Sequence, residues 1–231
     1  MADSAADGGV VQFLHRTPLL SQIAEPALAE LARASYRKRV RKGTYLFFQS
    51  DPAQAAYLVC SGSIAIVLIS GDGRELVINE MQPGDCFGEL GLLTGQPHSA
   101  GAMARVESEV LVMPRQAFLG LLEAEPRLAR RLLETTAERL ASSGEREGAL
   151  AFLDAETRVA RVLVQMDQHS HDKGYVTVSQ EELAQRTGLT RQTVAGTLGR
   201  WRRHGWVVTG RGRIMLLNRD QLAQVAERVP V

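Results

Sequence analysis

The chain has 231 residues, 45% of them apolar, enough for two domains with packed cores and no stapling by disulfides or metal. Its two cysteines, Cys60 and Cys86, lie in apolar, strand-like runs, which excludes a disulfide framework and reads as buried thiols. With no 18-residue apolar run and no charged-then-apolar leader, the expected protein is soluble, cytoplasmic and without a membrane partner.

Taken in chain order, residues 1–9 are small and polar and read as a disordered tail. Val10 to Ala34 predicts one or two short helices, broken near Pro18 and Pro26. From about Tyr36 the pattern changes to short apolar runs: Thr44–Phe48, Ala56–Cys60, Ile64–Ile69, Glu75–Glu80, Ser99–Arg105 and Val110–Met113. Turn signals separate them, Gly71-Asp72-Gly73 being a hairpin signal, so a small all-β barrel or sandwich is expected. A short helix follows at Arg115–Leu122. Pro126 then opens a long helix to about Leu150. Ala129, Leu133, Thr136, Leu140, Ser143, Glu147 and Leu150 recur on it at alternating four- and three-residue steps, a half-polar heptad seam. Residues 154–168 form a further helix, with Val159, Val162, Leu163 and Met166 on one face.

The charge is distributed unevenly. Residues 1–150 carry a net −3 and residues 151–231 a net +4, and the stretch from Arg186 to Arg213 holds seven arginines and no acid. Such a stripe is the electrostatic footprint of a nucleic-acid binder. Within it, Ser179 with Glu182 three residues on starts a helix that must turn at Gly188. Thr190 caps a second helix that runs to about His204 and ends at Gly205. Ala184, Leu189, Val194 and Leu198 have the spacing to pin the two together. This is a helix-turn-helix pattern. Two apolar runs around Thr209-Gly210-Arg211-Gly212-Arg213 then predict a β-hairpin wing with Arg211 and Arg213 at its tip, over phosphates.

The second helix is expected in the major groove, with Thr190, Arg191, Gln192, Thr193 and, one turn on, Thr197 facing base edges. Arginine can grip guanine and glutamine adenine with paired hydrogen bonds, each worth about 1–3 kcal/mol of discrimination. Ser179 and Arg200 complete the expected DNA-contacting set, with Arg202 and Arg203 further along toward phosphate or solvent. No nucleophile–base pair, HExxH or phosphate-cradling glycine loop appears, so neither catalysis nor a metal site is expected. His169-x-His171 is a weak metal pair in a loop.

The sequence resembles the Crp–Fnr family of bacterial transcription regulators over nearly its whole length. Three blocks carry the resemblance: Gly84-Asp85-Cys86-Phe87-Gly88-Glu89-Leu90-Gly91-Leu92-Leu93 with Pro97-His98-Ser99-Ala100; Leu150-Ala151-Phe152-Leu153-Asp154; and Leu189-Thr190-Arg191-Gln192-Thr193-Val194. The resemblance implies an α+β chain: tail 1–9, a jelly-roll-like β-roll effector domain of the cyclic-nucleotide-binding type at 10–122, a dimerisation helix at 123–150, and a winged helix-turn-helix at 151–231. It makes the heptad seam a homodimer seam. The implied partners are double-stranded DNA with a two-fold symmetric operator, half-sites about one helical turn apart, and RNA polymerase.

The resemblance also assigns an effector pocket: Gly88, Glu89, Leu90, His98, Ser99 and Ala100, with Ser143 reaching from the long helix. Glu89 matches the ribose-hydroxyl acceptor of cyclic-nucleotide-binding members. His98 stands where they carry an arginine, and Gly144 where a second hydroxyl is usual. Histidine is shorter and partly charged, so losing one charge-assisted bond of about 1.5–3 kcal/mol disfavours cyclic AMP or cyclic GMP as effector. The alternative is an effector-independent regulator with a vestigial pocket, Glu89 paired with a nearby cation and His98 solvated. The cysteine cluster of the iron–sulfur branch is missing, so no such cluster is expected; lone histidines such as His15, His98 and His169 are weak haem candidates. In the reading helix, Gln192 replaces the family's glutamate and Gly196 a second arginine, which implies a different half-site.

Overall fold

The computed structural model describes residues 3–168 and 174–228. They divide into two compact units: the chain up to Ile69 with Ile78–Leu140, and Ser70–Val77 with the chain from Ala141 onward. His169 and His171 lie outside the described residues.

In the first unit, helix α1 (Asp3–Arg16) begins inside the segment expected as a tail and stops before Pro18. Helix α2 (Glu25–Ala34) carries Pro26 in its first turn rather than breaking there. Proline is tolerated in a first helical turn, where its missing N–H has no intrahelical partner to lose. Eight strands follow: β1 (Tyr36–Val40), β2 (Tyr45–Phe47), β3 (Ala55–Ser61), β4 (Ile64–Ile69), β5 (Glu75–Met81), β6 (Cys86–Phe87), β7 (Gly101–Ala104) and β8 (Ser108–Pro114), with helix α3 (Glu89–Thr94) between β6 and β7. They form two four-stranded sheets, ordered β1-β8-β3-β6 and β2-β7-β4-β5.

The first sheet is covered on both faces. Val59, Val110, Val112 and Phe87 pack in one cluster with Ile64, Ala102 and Phe47 of the second sheet. Leu58, Leu111, Met113 and Cys86 pack in another with Leu14, Leu28 and Phe118, the last from helix α4 (Arg115–Ala124). Burial on both faces is why β3 and β8 read as nearly continuous apolar runs. Both cysteines are free, and burial raises their thiols, Cys60 to about 11. They are therefore inert at neutral pH.

Helix α5 (Pro126–Phe152) buries Leu128 and Leu132 in the same core as α4. On its next positions Leu133 and Leu140 are 70% and 74% exposed. Ala129, Glu147 and Leu150 are exposed as well, and Thr136 and Ser143 half-exposed.

The second unit contains α6 (Ala155–Gln168), β9 (Tyr175–Val176), α7 (Gln180–Thr187), α8 (Arg191–Arg203), β10 (Val207–Gly210), β11 (Arg213–Leu216) and α9 (Arg219–Ala226). Val159, Leu163, Leu183, Val194, Trp201 and Ile214 belong to its core. The three strands make one antiparallel sheet, β10-β11-β9, with Val208 opposite Met215 and Met215 opposite Tyr175. Among the described residues, no helix is long and apolar enough to cross a membrane.

Candidate functional site

The helix-turn-helix forms where the sequence predicts it. The Ser179 hydroxyl accepts from the Glu182 amide at 3.0 Å and starts α7. Gly188 ends it in the left-handed region, φ 64°, with its amide donating to the Ala184 carbonyl. A Cβ at Gly188 would come within 2.9 Å of Leu150, so both conformation and space call for glycine. Thr190 then caps α8, its hydroxyl accepting from the Thr193 amide at 3.1 Å. Ala184, Val194 and Leu198 are buried and Leu189 packs against them.

Capping fixes which side chains face outward. Arg191, Gln192, Thr193, Ala195, Gly196 and Arg200 are exposed along α8, as are Arg202 and Arg203. Thr197 requires a correction: it is 1% exposed, and its hydroxyl receives the Arg200 guanidinium at 3.3 Å. It lies three residues after Val194 and four before Trp201, on the helix stripe that faces the core. Trp201 is fully buried, its indole N–H donating to Glu156 at 2.6 Å.

The wing also forms. Gly210 pairs with Arg213 across the hairpin, and Arg211 is exposed at the tip. Arg213 is exposed, but its guanidinium lies over the Tyr175 ring, 4.9 Å from the centroid. Alternation over Tyr175–Val178 reads as a short strand, as observed at β9, but gives Tyr175 no role at an interface.

The second candidate site lies wholly in the first unit. Chain leaving β6 passes through Gly88, φ 78°, into α3. A Cβ there would meet the Tyr57 ring at 3.0 Å, so the turn packs directly on an aromatic face. Glu89, the first residue of α3, is 2% exposed. Arg139 of α5 donates to its carboxylate at 3.0 Å and to the Cys86 carbonyl at 2.7 Å. Burial raises the Glu89 pKa and Arg139 opposes that rise. Sequence reasoning missed Arg139, although a carboxylate buried in an apolar run demands a cation and one stands beside the seam residue Leu140.

His98 is not solvated, as the vestigial-pocket reading expected; it is 5% exposed. Its ring stacks on Phe47 at 3.6 Å between centroids and 11° between planes. Its backbone is tied on both sides, the amide to the Asp51 carbonyl and the carbonyl to the Ser50 amide. Desolvation lowers its pKa against the pull of Asp51, so the ring is neutral at pH 7. Phe47 also meets Tyr57 and Phe87, making one aromatic cluster. Leu90 and Ser99 are exposed and Ala100 is buried. Ser143 belongs to the other unit and donates to Glu147 within its own helix at 3.4 Å.

Glu89 holds Arg139, and position 98 carries an imidazole stacked on Phe47.

Residues 37–125 match the family model for the cyclic nucleotide-binding domain, and residues 157–225 match that for the Crp-like helix-turn-helix domain. The cAMP-activated global transcriptional regulator CRP of Salmonella typhimurium is 32% identical over 174 residues, 73% of this chain and 82% of that protein. The chain belongs to the Crp–Fnr family. It is therefore a DNA-binding transcription regulator rather than an enzyme. A CRP-like cAMP-activated global transcriptional regulator of Mycobacterium tuberculosis is 28% identical over 221 residues, 93% of this chain and 99% of that protein. Among solved structures, the c-di-GMP-responsive global regulator CLP of Xanthomonas campestris matches with a TM-score of 0.77 at 25% identity, covering 84% of this chain and 100% of that one. The Crp–Fnr fold accounts for both candidate sites: the β-roll carries Glu89 and His98, and the winged helix carries Arg191.

Proposed function

We propose that this Crp–Fnr regulator acts as a homodimer that reads a two-fold symmetric operator and is gated by a small molecule in the β-roll. One observation carries the reading of DNA: Thr190 caps α8 so that Arg191, Gln192 and Thr193 stand exposed together at its first turn. In a major groove, Arg191 would grip guanine and Gln192 adenine, while Arg200 and Arg211 would meet phosphates. Leu133 and Leu140, a heptad apart and exposed, support pairing of two α5 helices. RNA polymerase is the expected further partner of the DNA-bound dimer.

Gating would work by differential affinity: an effector that prefers the DNA-competent arrangement of the two helices shifts the population toward it. Of the two readings of the pocket, the Glu89–Arg139 pair and the neutral His98 favour one without tight phosphate recognition. Cyclic AMP and cyclic GMP therefore remain disfavoured as effectors.

Two experiments test the proposal. Duplexes enriched by the protein from a random-sequence library serve as probe. Arg191→Ala should lower affinity for them at least 10-fold, through loss of about 1–3 kcal/mol per half-site, and leave the sedimentation coefficient unchanged. Unaltered affinity would overturn the assignment of α8 as reading helix. For gating, thermal shift with cyclic AMP, cyclic GMP and cyclic di-GMP, each followed by operator binding, separates a gated regulator from an effector-independent one. A ligand that moves both melting and DNA affinity supports gating; micromolar cyclic AMP binding by calorimetry would overturn the argument from His98.

A further inference from the structure

On the wing, the arginine at the start of β11 does not project freely. Strand β9 lies beside β11, with Tyr175 opposite Met215. Arg213 and Met215 share the outward face of β11, since Ile214 and Leu216, which alternate with them, are buried. That register brings the Arg213 guanidinium to 4.9 Å from the Tyr175 ring centroid, within the range of a cation–π contact. A guanidinium resting over a ring still has N–H donors to offer a phosphate.

We propose that Tyr175 is a positioning residue for DNA binding: it holds Arg213 as a pre-ordered phosphate clamp at the pair that closes the wing's turn. This rests on the reading of the second unit as the DNA-binding one. A free arginine side chain must be ordered when it meets a phosphate, and ordering opposes binding. The ring does part of that ordering before DNA arrives. Arg211, at the tip, is exposed. Tyr175 touches no DNA in this scheme; its effect passes entirely through Arg213.

A double-mutant cycle tests this with the full-length protein and a duplex enriched from a random-sequence library. Tyr175→Leu should weaken binding about two- to five-fold for each wing engaged, the worth of an exposed cation–π contact. Arg213→Gln should weaken binding and flatten the dependence of log K on log salt by about 0.9 for each phosphate it leaves unneutralised. Adding Tyr175→Leu to Arg213→Gln should cost nothing more, and Tyr175→Phe should bind as the wild type does. Full persistence of the Tyr175→Leu loss in the Arg213→Gln background would mean that the ring merely supports the fold. So would Tyr175→Phe binding as weakly as Tyr175→Leu. Either result overturns the proposal, as does an unaltered salt slope in Arg213→Gln. If Arg191→Ala binds as well as wild type, the underlying reading of the interface fails instead, a distinct outcome measured on the same probe.

Discussion

Arg139→Leu isolates the electrostatic lock of the β-roll. Glu89 is 2% exposed, and Arg139, with a quarter of its own side chain still in water, donates to it at 3.0 Å. Removing one member of a buried pair costs about 3–5 kcal/mol, because the other charge stays desolvated and unpaired. The partial exposure of Arg139 argues for the lower end, about 3 kcal/mol. Burial already raises the Glu89 pKa and Arg139 opposes that rise, so without Arg139 it climbs further. A folded-state pKa above the unfolded value means that the native state binds the extra proton. The variant should thus regain stability as pH falls and lose it as pH rises through the folded pKa. Urea unfolding at pH 5.5 and pH 8, followed by far-ultraviolet circular dichroism, measures this. Tryptophan fluorescence gives an internal control, since Trp201 and Trp206 both lie in the second unit. Glu89→Gln combined with Arg139→Leu should recover most of the loss at pH 8, because a neutral amide needs no counter-charge. A loss that is independent of pH, or one under about 1 kcal/mol, would refute the account of the pair.

Three further outcomes follow from the same geometry. The depressed pKa of His98 means that the unfolded chain binds its proton first; stability contributed above about pH 6.5 is lost as pH falls, at up to about 1.4 kcal/mol per unit. His98→Phe, which keeps the stack on Phe47, should remove that part of the slope in denaturation curves between pH 7 and pH 5. Gly196→Arg meets open space at its Cβ, so it should stabilise α8 by up to about 1 kcal/mol and shift library-selected half-sites toward guanine. An unchanged selection would show that this helix face does not reach bases. Leu133→Glu with Leu140→Glu should convert a dimer to monomer in sedimentation velocity, since each leucine contributes about 1.5–3 kcal/mol when its apolar surface is buried by pairing.

Much of the fold was legible because its signals are local. The Ser179 and Thr190 caps, Gly188 and the acid-free arginine stretch located α7, α8 and the wing, and each capping contact appears as a hydrogen bond. Strands β3, β4 and β8 stood out as apolar runs because they are largely buried. Strand β1 was illegible for the opposite reason. It is an edge strand, Tyr36-Arg37-Lys38-Arg39 is exposed throughout, and no alternation marks it. Its charges suit an edge, where they discourage pairing with another chain, and Arg37 and Arg39 both meet Glu109 of β8.

The site residues divide along the same line. Thr197 was misplaced because a short polar residue on a helix gives no clue to its face. A stricter use of the period would have helped, since Val194, Thr197, Leu198 and Trp201 form one continuous stripe. Arg139 and the burial of His98 depend on partners far away along the chain, Glu89 and Phe47, which no local pattern contains. Yet both act on the same question. A histidine at position 98 could in principle have been a weaker copy of a cation, charged when the pH allowed. Stacked on Phe47, desolvated and tied through Asp51 and Ser50, it is instead part of the aromatic wall. An arginine introduced there would have to leave that wall or carry its charge into it, and overpacking a buried site costs about 1–3 kcal/mol before any ligand is met. On the proposed reading of the pocket, a cation for phosphate at position 98 requires more than one substitution: His98→Arg should be paired with a smaller residue at Phe47 before any gain in cyclic-nucleotide affinity is sought.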